Sequence, residues 1–315
     1  MPTIDLTAPR RAPRGPLDAL PRRVGLTRRE LELVGEAAGG APLPFVPPPT
    51  AGRDALADRL GARPGAGHDD AVRALLDRLP DPRVSLERRG LLTDRGVDAA
   101  LLGAVGLLAT PSLALDLDVR VGRRHVAAWH RHDGRAVATL ATADGVVFEL
   151  AWFPVALWPQ ELARVAVLPE EHRPQSSVVP PVVDLPHELL DAAIEAVAEH
   201  RADLVPVLAA HHDGGVLDGR GRPVPTGVVG QLLGALARET QGRLRAVTAR
   251  IPEPGSGEEV VTAGVAAWLL LADGWRELRP HVLDRQHRVE VRRVDHDDLA
   301  AALAPVLADL PGATR

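Results

Sequence analysis

The sequence predicts an α+β fold in which two quasi-symmetric halves share a central antiparallel β-sheet flanked by helices. Apolar residues recur at helical spacing in some segments and at every second position in others. Two segments also resemble each other at a constant shift of 141 residues: Val146–Leu150 with Leu162–Val165, and His287–Val291 with Leu303–Val306. If this reflects a duplication, one continuous sheet is the natural way to bury both halves. Chance likeness within a small amino-acid alphabet stays open as the alternative.

The first half is predicted to begin with helices. Thr27 and Glu30 have the spacing of a capping box at the start of an apolar run. Further helices are expected from Asp69 to Leu79, and from a start at Thr93-Asp94 to Leu108, because apolar residues recur there at helical spacing. The Pro-rich segment 41–50 is expected to run as extended chain.

The period changes to two between Leu113 and Trp152, where apolar and polar residues alternate. Turn signals at Gly122-Arg123, Asp133-Gly134 and Asp144-Gly145 divide this stretch into short segments. Four strands at hairpin spacing therefore predict an antiparallel sheet.

The second half is predicted to repeat this organisation. Asp184 and Thr226 are expected to cap helices, and Asp295 with Asp298 marks the start of the last helix. Strands are expected at 244–251, 260–271 and 287–294.

The chain is predicted to contain one folded domain. Residues 1–24 are rich in Pro and Arg and have little to bury, so they are expected to form a disordered basic tail. Residues 25–315 are expected to form a single α+β domain, with pseudo-repeats at about 68–168 and 184–310.

The amino-acid alphabet excludes several kinds of chemistry. The chain has no Cys and no Lys, so all 37 basic residues are Arg. Absence of thiols excludes disulfides, zinc-thiolate sites, iron–sulfur clusters and cysteine nucleophiles. Without Lys, the chain cannot form a Walker-type phosphate loop or a Schiff base. The net charge of −5 favours neither nucleic acid nor membrane surfaces, and no apolar run approaches the roughly 20 residues of a membrane span.

The remaining catalytic possibilities have weak patterns. His130, His132 and Asp133 could supply metal ligands, although Asp133-Gly134 also reads as an ordinary hairpin turn. Asp116 and Asp118 could pair as acid and base, or form a solvated sheet face. None of the serines lies in a Gly-x-Ser-x-Gly elbow. We therefore predict no catalytic residues, no metal site and no cofactor.

Tryptophans are the most informative large residues. All five lie in or beside predicted sheet segments, where they can fill the core or form interface hot spots. The stretch Val265–Leu271 places large apolar groups on both faces of one strand. One face must meet the core, whereas the other needs a helix or a partner.

Several segments resemble the EspG family, cytosolic chaperones associated with type VII (ESX) secretion in actinobacteria. These segments are Leu26–Leu31, the Pro-rich segment, the turn Ala272-Asp273-Gly274 and, above all, Val289–Leu303. The likeness covers nearly the whole chain after residue 24. The basic tail and an insertion between Trp275 and Gln286 depart from the family pattern.

The resemblance implies a cytoplasmic, non-enzymatic chaperone with an EspG-like fold. Its partner would be a secreted helical hairpin, PPE-like or similar, whose helical tip binds the sheet and the C-terminal helical part. On this basis we predict a set of partner-binding residues: Trp268, Leu270, Trp275, Leu299 and Leu303. A homodimer stays open, as does the alternative of a His/Asp metalloenzyme.

Overall fold

A computed structural model describes residues 21–45, 75–76, 78–168, 170, 172–252 and 260–308. The fold is α+β, with a large antiparallel sheet flanked by helices, which confirms the predicted fold class. No helix in the described part of the chain is long and apolar enough to span a membrane. Most of the predicted tail, most of the predicted helix from Asp69 to Leu79 and the end of the Pro-rich segment lie outside the described residues.

The chain divides into two units. The first comprises Met1–Asp116, Val126–Trp158 and Ala249–Thr262. Its sheet strands follow the order β1-β7-β6-β5-β4. Between Arg22 and Pro154 the helices and strands are β1 (Arg22–Thr27), α1 (Arg28–Ala37), α2 (Pro82–Arg88), β2 (Leu92–Thr93), β3 (Gly96–Val97), α3 (Ala99–Ala109), β4 (Leu113–Val121), β5 (Arg124–His132), β6 (Ala136–Thr142) and β7 (Val147–Pro154).

The second unit comprises Leu117–His125, Pro159–Thr248 and Ala263–Arg315, so it includes the end of β4. Its other sheet strands follow the order β10-β11-β12-β13-β8-β9. The elements in this part of the sequence are α4 (Trp158–Ala166), β8 (Val182–Pro186), α5 (His187–Ala198), α6 (Val205–His211), β9 (Leu217–Asp218), α7 (Thr226–Glu239), β10 (Gly242–Arg250), β11 (Val261–Leu271), β12 (Gly274–Leu283), β13 (Gln286–Val294) and α8 (Leu299–Ala308).

The internal likeness extends to strand register. In β7, Leu150 pairs with Val24 of β1, and in β13, Val291 pairs with Val183 of β8. Both pairings are antiparallel, and both β1 and β8 lead directly into a helix. The repeated pattern therefore includes Arg22–Thr27, which lies before the predicted repeat and overlaps the predicted tail.

Capping boxes predicted from the sequence mark two helix starts. The Thr27–Glu30 capping box is present: the Thr27 Oγ1 accepts from the Glu30 amide at 3.2 Å, and Glu30 Oε2 accepts from the Thr27 amide at 2.7 Å. Asp295 and Asp298 form the other capping box, at the 3₁₀ turn that precedes α8. These two predictions are confirmed.

Two predicted helix starts are wrong, and a third predicted cap is displaced. Asp184 lies inside strand β8, because Val183 and Leu185 pair with β13, and its carboxylate accepts from Arg288 at 3.1 Å. Thr93 instead ends β2, and Asp94 begins the turn that leads to β3. The helix begins after Asp98, whose Oδ1 accepts from two backbone amides of the first turn at 3.0 Å. Thr226 is the first residue of α7 rather than its cap: the N-cap is Pro225, which offers no side-chain hydrogen bond, and the Thr226 hydroxyl donates to Asp213.

Each unit has its own apolar core. In the first, α1 and α3 pack on β6 and β7 through a cluster that includes Leu31, Val34, Leu101, Leu108, Leu140 and Leu150. In the second, α5, α6 and α7 pack on the sheet through a cluster that includes Leu189, Leu190, Ala209, Leu232, Leu233, Val183 and Val291. Burying each leucine contributes about 1.5–3 kcal/mol.

Candidate partner-binding surface

The five predicted partner-binding residues are all in the interior. Trp268, Leu270, Leu299 and Leu303 have no exposed area, and Trp275 is 3% exposed. The rings of Trp268 and Trp275 lie 6.1 Å apart, and Trp275 Nε1 donates to the Ala166 carbonyl at 2.8 Å. Partner binding by these residues stays a prediction, and as buried side chains they would act by supporting exposed neighbours.

Strand β11 has two different faces. Trp268 and Leu270 are fully buried, whereas the alternate residues Val265, Ala267 and Leu269 are partly or well exposed. This alternation is the period of two expected of a strand. The apolar residues on the second face are smaller, and Val265 is 48% exposed.

Strand β10 alternates in the same way. Leu244 and Ala246 are buried, whereas Arg243 and Arg245 are exposed. Because β10 and β11 are neighbours in the sheet, the exposed arginines and the exposed valine belong to one patch.

This patch is concave. It encloses a volume of about 390 Å³, whose lining includes residues from the end of β4, from β10 and from β11. The buried Leu244 and Trp268 also belong to this lining. We call the part of the lining that is not buried the outward sheet surface, and it consists of Asp118, Arg120, Arg243, Arg245, Val265, Ala267 and Leu269. All of these residues belong to the second unit.

Gly242 allows the close approach of backbones that forms the surface. A Cβ at this position would lie 2.3 Å from the Arg120 carbonyl oxygen. The adjoining Gly122 amide donates to the Gln241 carbonyl at 3.0 Å. Only glycine fits here without moving the backbone, so Gly242 brings Arg243 next to Arg120.

The one carboxylate of the surface is already occupied. Asp118 accepts from Arg120 Nε at 3.2 Å and lies 2.6 Å from His125 Nε2. Partial burial acts to raise the pKa of Asp118, but the His125 hydrogen bond and the charges of His125 and Arg120 outweigh it and lower that pKa. Asp118 is therefore ionised at neutral pH.

Arg243 and Arg245 have no such partner in the part of the chain that the structure describes. No carboxylate of the described residues forms an ion pair with either guanidinium. The surface thus combines three guanidinium groups with one carboxylate, a local excess of positive charge although the whole chain has a net charge of −5.

A helical layer borders the surface. Leu269 lines the concavity and also packs against the apolar cluster formed by α5, α6 and α7. The outward sheet surface and the layer formed by α5, α6 and α7 are therefore adjacent within the second unit.

The histidines considered as metal ligands have structural roles. His130 is buried, and its Nδ1 accepts from Trp158 Nε1 at 2.9 Å, while the ring of His132 stacks on the same indole at 5.2 Å. Burial, with a smaller contribution from Arg131, lowers the pKa of His130 to about 3, so its imidazole is neutral. Asp133 accepts from two backbone amides of its turn.

The described residues also lack a cluster of three or more His, Asp or Glu side chains able to hold a metal ion. Asp116 and Asp118, the candidate acid–base pair, each bind an arginine, with Asp116 lying 2.6 Å from Arg131 Nη1. They form a solvated sheet face, the second of the two possibilities raised by the sequence.

Sequence reasoning did not identify the outward sheet surface. Its signal was present, because Arg243 and Arg245 are two residues apart within a strand and no acidic residue lies at the next alternate position. Only the structure shows that neither arginine pairs with a carboxylate of the described residues.

Comparisons with known proteins give a likeness of fold. No protein-family model and no curated protein sequence matches the chain. The structure is similar to that of the type VII secretion system chaperone EspG5 of Mycobacterium tuberculosis, solved in complex with a PE25-PPE41 dimer. The match covers 92% of this chain and 98% of the other, with a TM-score of 0.57 and 10% sequence identity.

Proposed function

We propose that this chain is a non-enzymatic chaperone of the EspG type, acting in the cytoplasm of an actinobacterium. It binds the helical tip of a type VII (ESX) secretion substrate, PPE-like or another helical hairpin, keeps it soluble and directs it to export. The observation that carries this proposal is the shared fold with a type VII secretion chaperone over nearly the whole of both chains.

The outward sheet surface supports a binding role. An exported helical bundle with an apolar tip aggregates unless the tip is covered. A concave patch of about 390 Å³ with Val265 and Ala267 among its lining residues offers apolar contact, and the arginines provide a polar rim. Binding of this kind requires neither a cofactor nor a metal.

Three of the five predicted residues fit this proposal as support. Trp268 and Leu270 alternate along β11 with Ala267 and Leu269 of the surface, so packing of the buried pair holds the exposed pair in place. Trp275 pairs with Leu270 in the register of β11 and β12, and thereby joins the same layer.

Co-expression tests the proposal. Each helical-hairpin protein encoded near this gene is produced alone and together with the tagged chain. We expect one of them to be insoluble alone and to co-purify as a soluble complex, whose size in solution also shows whether the chain forms a homodimer. If none of these neighbours co-purifies, the proposed function is wrong.

A further inference from the structure

Arginines in three other strands each have their own carboxylate two residues away. Arg120 donates to Asp118 at 3.2 Å in β4, Arg279 donates to Glu277 at 2.6 Å in β12, and Arg292 donates to Glu290 at 2.9 Å in β13. Side chains at i and i+2 share a face of a strand, so these charges are neutralised within the strand.

Strand β10 breaks this pattern. The residue two positions after Arg243 is Arg245, and the next alternate residue is Val247. The two arginines start about 7 Å apart on one face, and like charges at this spacing repel each other. Asp118, the carboxylate of the same surface, is engaged by Arg120 and His125.

We propose that Arg243 and Arg245 receive carboxylates from the bound protein, so that the segment recognised here is an acidic helical tip. Val265 and Ala267, on the neighbouring strand, contact the apolar face of the same segment. This inference rests on the proposed function, and it adds the charge of the substrate, which the likeness of fold does not provide.

Charge complementarity favours this occupant. The two guanidinium groups are exposed, and each can bind a carboxylate through two parallel N–H donors. An apolar strip beside a cationic pair matches a helix with Asp or Glu along one edge of its apolar face.

The test uses the full chain and two synthetic αα-hairpins of identical apolar sequence. One carries Glu at the tip, and the other carries Gln at the same positions. We expect the Glu hairpin to bind at least about tenfold more tightly, and the difference to shrink when NaCl is raised from about 0.05 M to about 0.5 M. Equal binding of the two hairpins, or binding of neither, overturns the inference.

Variants assign the effect to the two arginines. Arg243→Gln with Arg245→Gln should remove the preference for Glu, whereas Arg220→Gln, in an exposed loop outside the surface, should keep it. Circular dichroism checks that each variant is folded. A preference that survives the double substitution overturns the inference, as does tighter binding of a short DNA duplex than of the Glu hairpin.

The two proposals fail in different ways. If no encoded helical hairpin co-purifies, the proposed function is wrong whatever the synthetic hairpins do. If a natural substrate co-purifies but its affinity is the same for the wild-type chain and the double Gln variant, only the inference about charge is wrong.

Discussion

The two faces of β10 and β11 differ in burial, in side-chain size and in charge. One carries Trp268 and Leu270, both fully buried. The other carries Arg243, Arg245 and Val265, all exposed. The largest apolar side chains thus stabilise the domain, whereas smaller and charged ones are available to a partner. Size and hydrophobicity alone do not separate these roles, because the same strands supply both.

The comparison predicts the largest loss of stability on the buried face. Trp268→Ala removes a fully buried indole and should lower the free energy of unfolding by about 3–5 kcal/mol. Val265→Ala, on the exposed face of the same strand, should cost less than about 1 kcal/mol. Urea unfolding measures both. Similar losses for the two variants would contradict the distinction between the faces.

The next largest effect is a dependence of stability on pH, and it comes from the buried His130. The pKa of His130 is about 3 in the folded protein and should return to about 6.5 on unfolding. The folded state therefore binds fewer protons, and this contribution to stability is complete above about pH 6.5 and is lost as the pH falls towards 3. Between pH 6.5 and 4.5 we expect a loss of about 2–3 kcal/mol from this group.

His130→Gln isolates that contribution, because glutamine does not titrate and its carbonyl can accept from Trp158 Nε1. Urea unfolding at several pH values should give a flatter dependence for the variant than for the wild-type chain. An unchanged slope would show that His130 titrates normally. Stabilisation of the wild-type chain by added Zn²⁺, lost in the variant, would revive the metalloenzyme alternative.

A smaller loss of stability is expected at Gly242, where two backbone segments approach closely. Gly242→Ala places a Cβ 2.3 Å from the Arg120 carbonyl and should cost about 1–3 kcal/mol through overpacking. Gly25→Ala is a matched control, because Gly25 also lies in a strand and a Cβ there meets no atom of the described residues within 4 Å. Thermal unfolding compares them, and a greater loss for Gly25→Ala would contradict the packing described here.

The smallest effect separates the two buried tryptophans. Trp275 Nε1 donates to the Ala166 carbonyl, whereas Trp268 Nε1 is buried with no hydrogen-bond partner among the described residues. Trp275→Phe should therefore cost about 1 kcal/mol more than Trp268→Phe. Urea unfolding of the two variants measures this difference. A greater loss of stability for Trp268→Phe would contradict the assignment of the hydrogen bond to Trp275.

Much of the fold could be predicted from local signals. The capping boxes at Thr27 and Asp295 form within one helical turn. The alternation of buried and exposed residues in β4 and β10 can be read within each strand, because one face is buried. Asp184 failed as a helix cap because pairing with β13 prevails over a local preference. The segment read as an insertion after Trp275 forms β12 and its hairpin with β13.

The candidate site was harder to predict. Apolar residues occupy consecutive positions from Ala266 to Leu271, so the sequence could not tell which face of β11 is covered. The answer depends on the helices that pack on the sheet, and those contacts are long-range. Likewise, the importance of Arg243 and Arg245 depends on where every nearby carboxylate lies.

Ala267→Trp is the decisive variant for binding of a helical partner by the outward sheet surface. An indole at this position would project into the concavity of about 390 Å³ and obstruct it. Isothermal titration with the co-purifying substrate should show at least about a hundredfold loss of affinity, because bulk at the centre of an interface prevents close packing. Ala99→Trp, at an exposed position of α3, should bind like the wild-type chain. Unchanged affinity of the folded Ala267→Trp variant would contradict binding at this surface.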